Sequence, residues 1–336
     1  MKYCMAALLL LNGLAFGQQS PALSLKTRIA LPNVQGRVDH FSVDVKGQRL
    51  FVAAVANHTL EVIDLQSGRR VRTLSDLGEP QGVFYDASTN RLFVACGLDG
   101  TTKIYDATTF QLLKTVKFPD DADNIRYDAR NKHVIVGYAG AKSLRKREQG
   151  EGALGFLDSN GNEVGEVVLD AHPESFQLEK SGTRLFVNVP EKKEIEVVDV
   201  LKRTVLARWP VTAAQNNFPM ALDEAHHRLF VGCWMPPRLL VFDTESGKQV
   251  ASAEIASNTD DIFFDSSRGR VYVLATVGFI EVFQQKDADH YDRIARYSTP
   301  PGTQTGLFVP EWGRLFAAVQ GRGEQQRSEI LVYEAQ

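Results

Sequence analysis

Short apolar runs alternate with polar turns along almost the whole chain. The first clear unit has four such runs, at residues 40–44, 49–55, 59–65 and 70–74, and polar turns that contain residues such as Gly47 separate them. Runs of this length that are rich in Val, Ile, Phe and Thr and end at Gly, Asp or Asn are typical of β-hairpins. No segment has the apolar spacing of an amphipathic helix. The pattern therefore predicts an all-β protein.

The four-strand unit recurs seven times. Its marker is the phrase Arg-Leu-Phe-Val, which is unchanged in four units and altered in three. The copies begin at residues 49, 91, 133, 184, 228, 270 and 314, so that their spacings are 42, 42, 51, 44, 42 and 44 residues. A period near 42 with four strands per unit is that of a propeller blade. We therefore predict a seven-bladed β-propeller with four antiparallel strands per blade.

The two ends of the chain complete one blade in this prediction. The seventh repeat has only three strands, the last of them at residues 329–334. An apolar run at residues 25–31 can supply the fourth strand. Closing the ring in this way leaves no open sheet edge between the first and last blades.

The first 17 residues have the features of an export signal. Lys2 precedes an apolar stretch at residues 6–11, and residues 15–17 form a small-x-small cleavage site. The stretch is too short to span a bilayer, and no later segment approaches the ~20 apolar residues that a membrane helix needs. We expect residues 1–17 to be removed and residues 18–336 to form a single propeller domain in the periplasm or outside the cell.

The phrase that recurs within the chain resembles the repeat of a known family. Arg-Leu-Phe-Val-Ala phrases are followed by an Asp, as in Leu-Glu-Val-Ile-Asp at residues 60–64 and Leu-Leu-Val-Phe-Asp at residues 239–243. In these phrases the chain resembles the YncE-like group of YVTN-type β-propeller repeat proteins, over nearly all of its length after residue 17. The resemblance implies the seven-bladed fold and export to the bacterial envelope. Some propellers with related repeats are sugar-lactone hydrolases or antibiotic lyases, but the motif is structural and carries over no catalytic residue.

Charge and motifs exclude several function classes. The chain has 38 Lys and Arg against 41 Asp and Glu, a formal net charge of -3. A general nucleic-acid binder needs a strong basic excess, so nucleic acid is not an expected partner. The sequence has no Walker loop, dinucleotide fingerprint, GxSxG elbow or haem-attachment CxxCH. Its chemistry has to be sought among residues that the fold brings together.

Seven short segments lead into the first strands of the blades and meet on one face of the predicted ring, called here the top face. These lead-in segments are residues 37–40, 79–82, 121–124, 172–175, 216–219, 258–261 and 303–306. They hold seven carboxylates, two histidines and one arginine, whereas the acids of the opposite, bottom face recur at fixed places in the repeat, as turn residues do. The candidates for ligand binding are therefore polar and aromatic residues of the top face, namely Arg37, Asp39, His40, Asp123, Asn124, Arg126, His172, Glu174, Asn217, Trp234, Arg238 and Asp260.

The seven carboxylates of the lead-in segments outnumber their single arginine and favour one kind of ligand. Arg37 or Arg126 can hold a carboxylate, since a guanidinium fork matches that geometry. Alternatively, the rim groups satisfy one another and ordered water, which is a purely structural role. We favour a monomeric, exported propeller that binds a small polar molecule or an envelope protein at the top face. The acceptors for a small polar or cationic ligand are then Asp39, Asp123, Glu174 and Asp260.

The two histidines of the top face open two alternatives. With carboxylates they can hold a divalent metal ion, which is calcium or magnesium for oxygen ligands and a transition metal where imidazole takes part. A histidine can also act as a general base, with Glu174 or Asp123 to orient it. A metal-assisted lactone hydrolase or lyase is therefore the alternative function, and a protein–protein scaffold or envelope sensor is a second alternative. The metal candidates are His40, Asp123, His172 and Glu174.

Two loops, one aromatic residue and two cysteines complete the predictions. Loops at residues 141–151 and 320–328 are expected to wall the channel mouth on the top face. Trp234 either forms an aromatic lip for a flat ligand or packs against the adjacent blade. Cys96 and Cys233 lie in the second and fifth blades, a separation on the order of 20 Å, whereas a disulfide needs Cα atoms within ~7 Å. We therefore predict two unpaired, buried thiols.

Overall fold

The computed structural model describes residues 21–140 and 151–336 and confirms the predicted propeller. In these residues, seven four-stranded antiparallel sheets form the blades of a ring around a central channel. Each of blades 1 to 6 follows chain order from its inner first strand to its outer fourth strand. The top face, where the lead-in segments lie, is therefore also the face of the connections between second and third strands.

The bounds of the strands follow the repeat. Strand β1 (Leu23–Ala30) belongs to the last blade. Blade 1 contains β2 (Phe41–Asp44), β3 (Arg49–Ala54), β4 (Thr59–Asp64) and β5 (Arg69–Leu74), and blade 2 contains β6 (Pro80–Asp86), β7 (Arg91–Cys96), β8 (Thr101–Asp106) and β9 (Leu112–Lys117). Blade 3 contains β10 (Asp120–Asp128), β11 (His133–Ala139), β12 (Gly152–Leu157) and β13 (Glu163–Leu169), and blade 4 contains β14 (Phe176–Leu178), β15 (Arg184–Val189), β16 (Glu194–Asp199) and β17 (Thr204–Pro210).

The remaining blades repeat the same order. Blade 5 contains β18 (Gln215–Asp223), β19 (Arg228–Met235), β20 (Pro237–Asp243) and β21 (Gln249–Glu254), and blade 6 contains β22 (Thr259–Asp265), β23 (Arg270–Ala275), β24 (Phe279–Asp287) and β25 (His290–Ser298). Blade 7 contains β26 (Gly306–Val309), β27 (Arg314–Val319) and β28 (Glu329–Ala335). Among the residues that the structure describes, two single-turn 3₁₀ helices lie in connections between strands, at Val55–Asn57 and Pro310–Trp312.

The ring closes as the sequence predicts. Strand β1 adds to blade 7 as its outer strand and pairs antiparallel with β28, from Leu23 opposite Ala335 to Ala30 opposite Glu329. Just beyond β1, the backbone N–H of Leu31 donates to the carbonyl of Ser328 at 2.9 Å. One blade is therefore built from both ends of the chain.

The phrase Arg-Leu-Phe-Val builds the core between the blades. In blade 1, Leu50, Phe51 and Val52 are consecutive and fully buried. Leu50 and Val52 pack toward blade 7 while Phe51 packs toward blade 2, because successive side chains of a strand point to opposite faces. The described residues form seven apolar clusters of this kind, one at each junction of neighbouring blades. The core is thus a ring of sheet-to-sheet contacts around a polar channel.

The cysteine prediction is confirmed. Cys96 and Cys233 are both free and buried, and burial raises the pKa of each thiol to about 12. Within the described ranges, no helix is long and apolar enough to cross a bilayer.

Two of the predicted features lie wholly or mostly outside the described residues. These are the export signal at residues 1–17 and the loop at residues 141–151 apart from its last residue. The loop at residues 320–328 is described and lies beside the lead-in of blade 1. Its Gly321 forms a bridge with Gly36, and the N–H of Gly323 donates to Oε1 of Gln35 at 2.9 Å.

Candidate functional site

The lead-in segments bring polar side chains from five blades to the top mouth of the channel. Arg37 stands among them with 46% of its side chain exposed. The carboxylate of Asp39 raises the pKa of Arg37 above its ordinary value against the effect of burial, and acids from three other blades raise it further. The five side chains occupy the third place of their lead-in segments and are Asp39, Gln81, Asp123, Glu174 and Asp260.

Hydrogen bonds join part of this mouth into a chain. Nη2 of Arg37 donates to Oδ2 of Asp39 and, at 3.2 Å, to Oε1 of Gln81. Nε2 of Gln81 donates to Oδ1 of Asp121 at 3.0 Å. This series of hydrogen bonds therefore connects blades 1, 2 and 3. On the other side of the ring, Nε2 of Gln304 donates to Oδ2 of Asp260 at 2.7 Å, which connects blades 7 and 6.

The acids of the mouth repel one another. Burial raises the pKa of Asp123 well above its ordinary value, and the carboxylates of Asp39 and Asp121 raise it further. Burial likewise raises the pKa of Glu174, and it raises the pKa of Asp260 to about 6. Oδ1 of Asp123 is buried and accepts no hydrogen bond from the described residues. The mouth thus gathers more carboxyl groups than the single guanidinium of Arg37 can pair.

A second polar layer lies one residue deeper, at the fourth place of the lead-in segments. Nδ2 of Asn124 lies 3.2 Å from Nε2 of His40, and Oδ1 of Asn124 accepts from Nη1 of Arg126 at 2.8 Å. Since an amide nitrogen can only donate, His40 accepts at Nε2 and is neutral. Its proton is then on Nδ1, which lies 3.8 Å from Oδ1 of Asp261. Burial lowers the pKa of His40, so that the neutral form persists at neutral pH.

Below this layer the channel widens into a cavity of about 320 Å³. His40, Arg126 and Asp261 line its upper end, and side chains of the inner strands such as Tyr85 and Tyr127 line its wall. A cavity of this size is at the lower end of those that hold small organic ligands. The second polar layer therefore forms the top of a partly open cavity.

Two sequence candidates lie at contacts between blades instead. Asn217 is fully buried, and its Nδ2 donates to Oδ1 of Asn188 and to the carbonyl of Glu194, both at 3.0 Å. Trp234 packs on the ring of Phe218 and donates from Nε1 to the carbonyl of Thr259 in blade 6 at 2.6 Å. This is the packing alternative for Trp234.

Two further candidates complete the set. Arg238 forms an ion pair with Glu254 at 3.5 Å, within blade 5. His172 lies in the lead-in of blade 4, two residues before Glu174, and is half-buried. Eight of the twelve candidates meet at the channel, whereas the three from blade 5 do not; the eight are Arg37, Asp39, His40, Asp123, Asn124, Arg126, Glu174 and Asp260.

The metal candidates do not form a compact group of ligands. In the described part of the chain, a single set of three acidic or metal-ligating side chains brings its ligand atoms within 4.8 Å of one another, and it consists of Asp170, Glu194 and Glu196. This set lies on the top side of the junction between blades 3 and 4, toward the outer strands. His40, Asp123, His172 and Glu174 are therefore not arranged as one metal site.

Three residues of the channel entrance are absent from the sequence candidates. Gln81 occupies the same third place as Asp39, and Asp261 the same fourth place as His40, so the register of the repeat carries the signal for both. Gln304 lies in the lead-in of blade 7 and is detectable only through its bond to Asp260. A search for charged residues alone misses the two glutamines, because an amide side chain forms hydrogen bonds but bears no charge.

Comparisons with known proteins show the fold and nothing narrower. No model of a known protein family and no curated protein matches the sequence. A solved structure described as the crystal structure of the mitotic checkpoint complex contains a similar chain, with a TM-score of 0.75 and 10% identity over 100% of this chain and 98% of that one. Hydrazine synthase of Kuenenia stuttgartiensis is similar with a TM-score of 0.73 and 13% identity over 87% of this chain and 94% of that one. At such identities the likeness establishes a β-propeller only.

Proposed function

We propose that this protein binds a small, polar, positively charged molecule at the top mouth of its central channel. One observation carries the proposal: Oδ1 of the buried Asp123 accepts no hydrogen bond from the described residues and lies among other carboxylates. Buried carboxylate oxygens without a partner are costly, and a bound ammonium group removes that cost.

The charges of the mouth support the same class of ligand. Four carboxylates, those of Asp39, Asp123, Glu174 and Asp260, act on a single guanidinium, that of Arg37. Burial and mutual repulsion hold the pKa values of three of them above the ordinary value. Groups with perturbed pKa values cluster at functional sites, where stability is given up for binding. A cationic ligand lowers the repulsion that the folded protein otherwise retains.

Arg37 and the second layer support a polar ligand of small size. Arg37 is bound on one side by Asp39 and Gln81, and its exposed part can hold an acceptor group of the same ligand. Beyond the mouth, the 320 Å³ cavity leaves room for a small organic molecule rather than a chain segment. An amine that also carries hydroxyl or carbonyl groups fits these features.

Thermal shift and calorimetry at pH 7.5 test the proposal. Spermidine and glucosamine are the cationic probes, and glucose and gluconate are the neutral and acidic controls. We expect a cationic probe to raise the Tm and Asp123→Asn to remove that rise. Glu311→Gln, which removes an exposed acid of the bottom face, is the matched control and keeps the rise. Equal shifts in both variants, or no shift with either cation, contradict the proposal.

We also propose that the chain belongs to the YncE-like group and is exported. The Arg-Leu-Phe-Val repeats support the first statement, and the order of Lys2, the apolar stretch and residues 15–17 supports the second. Expression of the full chain in a bacterium, followed by mass spectrometry of the periplasmic fraction, tests export. The expected mature chain begins at Gln18. A full-length chain that remains in the cytoplasm contradicts it.

A further inference from the structure

A buried glutamate recurs in the third strands of three blades. Glu61 of β4, Glu196 of β16 and Glu281 of β24 occupy the same place in the repeat, and all three are fully buried. A buried carboxylate needs a cation or several donors to offset its desolvation. The partners of the three glutamates can therefore be compared position by position.

Two of these glutamates are fully paired by the protein. Arg70 and Thr73 donate to Oε2 of Glu61 at 3.0 and 2.6 Å, and Thr59 donates to its Oε1 at 2.6 Å. In blade 6, Arg293 donates to Oε1 of Glu281 at 2.8 Å. The backbone N–H of Ala256 donates to its Oε2 at 2.6 Å. Both oxygens are satisfied in each case.

Blade 4 departs from this pattern. The N–H of Asp170 donates to Oε1 of Glu196 at 2.8 Å, as that of Ala256 does in blade 6. However, the arginine opposite Glu196, Arg208, makes two hydrogen bonds to the carboxylate of Asp170, at 2.7 and 2.8 Å. Its nearest approach to Oε2 of Glu196 is 3.9 Å. Oε2 of this fully buried side chain accepts no hydrogen bond from the described residues.

Two further acidic residues lie beside Glu196 in blade 4, at positions where blade 6 has apolar residues. Asp170 stands where blade 6 has Ala256, and Glu194 stands where blade 6 has Phe279. Oε1 of Glu194 is also buried and accepts no hydrogen bond from the residues that the structure covers. Glu194 and Glu196 therefore each keep one unsatisfied oxygen on the same face of β16, close to the carboxylate of Asp170.

We infer that Asp170, Glu194 and Glu196 bind a divalent cation of the calcium class. One ligand atom from each lies within 4.8 Å of the other two, which is the spacing of oxygens around a single ion. Carboxylate oxygens alone form the set, and these are the ligands that calcium prefers. Asp170 keeps its bonds to Arg208, because each carboxylate oxygen has a second lone pair. The ion would link the connection after β13 to β16 and so clamp blade 3 to blade 4.

This site is separate from the channel mouth and independent of the function proposed there. It lies toward the outer strands of blades 3 and 4, and its carboxylates share no hydrogen bond with Arg37 or Asp123 in the described residues. Its role is to hold the ring together where the pairing that blades 1 and 6 provide is missing. Loss of the ion would therefore lower the stability of the ring without removing the charge of the mouth.

Calcium titration of the full chain, stripped of metal with a chelator, tests this inference. We expect millimolar Ca²⁺ to raise the Tm by several degrees, because an ion that binds only the folded state stabilises it. Glu194→Gln is expected to weaken Ca²⁺ binding at least tenfold in calorimetry. Glu163→Gln, which removes an exposed acid of β13, is the matched control and leaves binding unchanged.

Terbium luminescence locates the ion without altering its ligands. Trp209 follows Arg208 on β17, and its ring packs on Phe186 across the sheet of blade 4 from the proposed ion. Trp209→Phe is therefore expected to weaken the sensitised Tb³⁺ emission more than Trp312→Phe in blade 7 does. A larger loss of emission in Trp312→Phe overturns the inference. So does a Ca²⁺ response that Asp123→Asn abolishes and Glu194→Gln preserves, because the ion then belongs to the channel mouth.

Discussion

The two faces of the ring use their acids in opposite ways. On the bottom face, Asp44 accepts from the N–H of Gly47 at 2.8 Å and pairs with Arg49 at 2.8 Å. Hydrogen bonds from Thr109 and Thr108 hold the pKa of Asp106 below its ordinary value. At the top mouth, burial and like charges instead raise the pKa of Asp123 and Asp260. An acid that the fold satisfies is structural, and an acid that the fold leaves strained is available for a ligand.

The largest expected effect comes from removing a bottom acid. Asp265→Ala takes the acceptor from the hydroxyl of Ser267 at 2.6 Å and from the fully buried hydroxyl of Tyr272 at 3.1 Å. A buried hydroxyl without a partner is costly, so we expect a loss of about 2–4 kcal/mol in the free energy of unfolding. Urea denaturation at pH 7.5 measures it. A loss below about 0.5 kcal/mol would show that these acids are not structural.

A mouth acid is expected to give the opposite sign. The pKa of Asp260 is raised from 3.8 to about 6 in the folded protein, so the stability linked to this group is full below pH 3.8 and lost as the pH rises through 6. Asp260→Asn keeps an oxygen for Gln304 and removes the charge. We expect a gain of about 1–3 kcal/mol at pH 7.5 and none at pH 3.5.

Asp106→Asn is the matched control for that experiment. Its lowered pKa means that its stabilising effect is present above the ordinary value of 3.8 and lost as the pH falls through the folded value. The substitution should lower the Tm at pH 7.5. The difference in Tm between the variant and the wild type should become smaller at acidic pH. If both aspartate variants shift the Tm in the same direction at pH 7.5, the contrast between the faces is wrong.

The smallest expected effect concerns ligand affinity and rests on the proposed function. Between pH 7.5 and pH 5, Asp260 takes up a proton because its pKa is raised to about 6, and the mouth loses that negative charge. The affinity for spermidine should therefore fall by about three- to tenfold on acidification. Calorimetry at the two pH values measures this. A pH-independent affinity, or the same fall for glucose, would separate binding from the mouth carboxylates.

The fold could be predicted almost completely from the sequence because the sequence pattern of one blade occurs seven times. The phrase beginning at Arg49 and its copies fix the second strand of every blade, and the predicted closing strand at residues 25–31 differs from β1, Leu23–Ala30, by two residues at its start and one at its end. Strand ends shift in this way because hydrogen bonding to the partner strand, not side-chain pattern, sets them.

The site could be predicted only in part, because it depends on which blade a side chain faces. The acids at the third place of the lead-in segments meet as the register suggests, and so Asp39 and Asp123 were within reach of sequence reasoning. Trp234 was not, since its partner is a backbone carbonyl of the next blade, that of Thr259. Likewise, Asp170 follows the last strand of blade 3 and Glu194 begins the third strand of blade 4, and no local spacing in the sequence predicts that they meet.

The pairing of β1 with β28 has a consequence for the order of events during synthesis. Leu23 and Ile29 are among the first described residues to be made, yet they pack against Leu331 and Ile330, which are among the last. Until β28 exists, β1 has no strand to pair with. A nascent chain can therefore stack its early blades, but it cannot close the ring before the last repeat has been made.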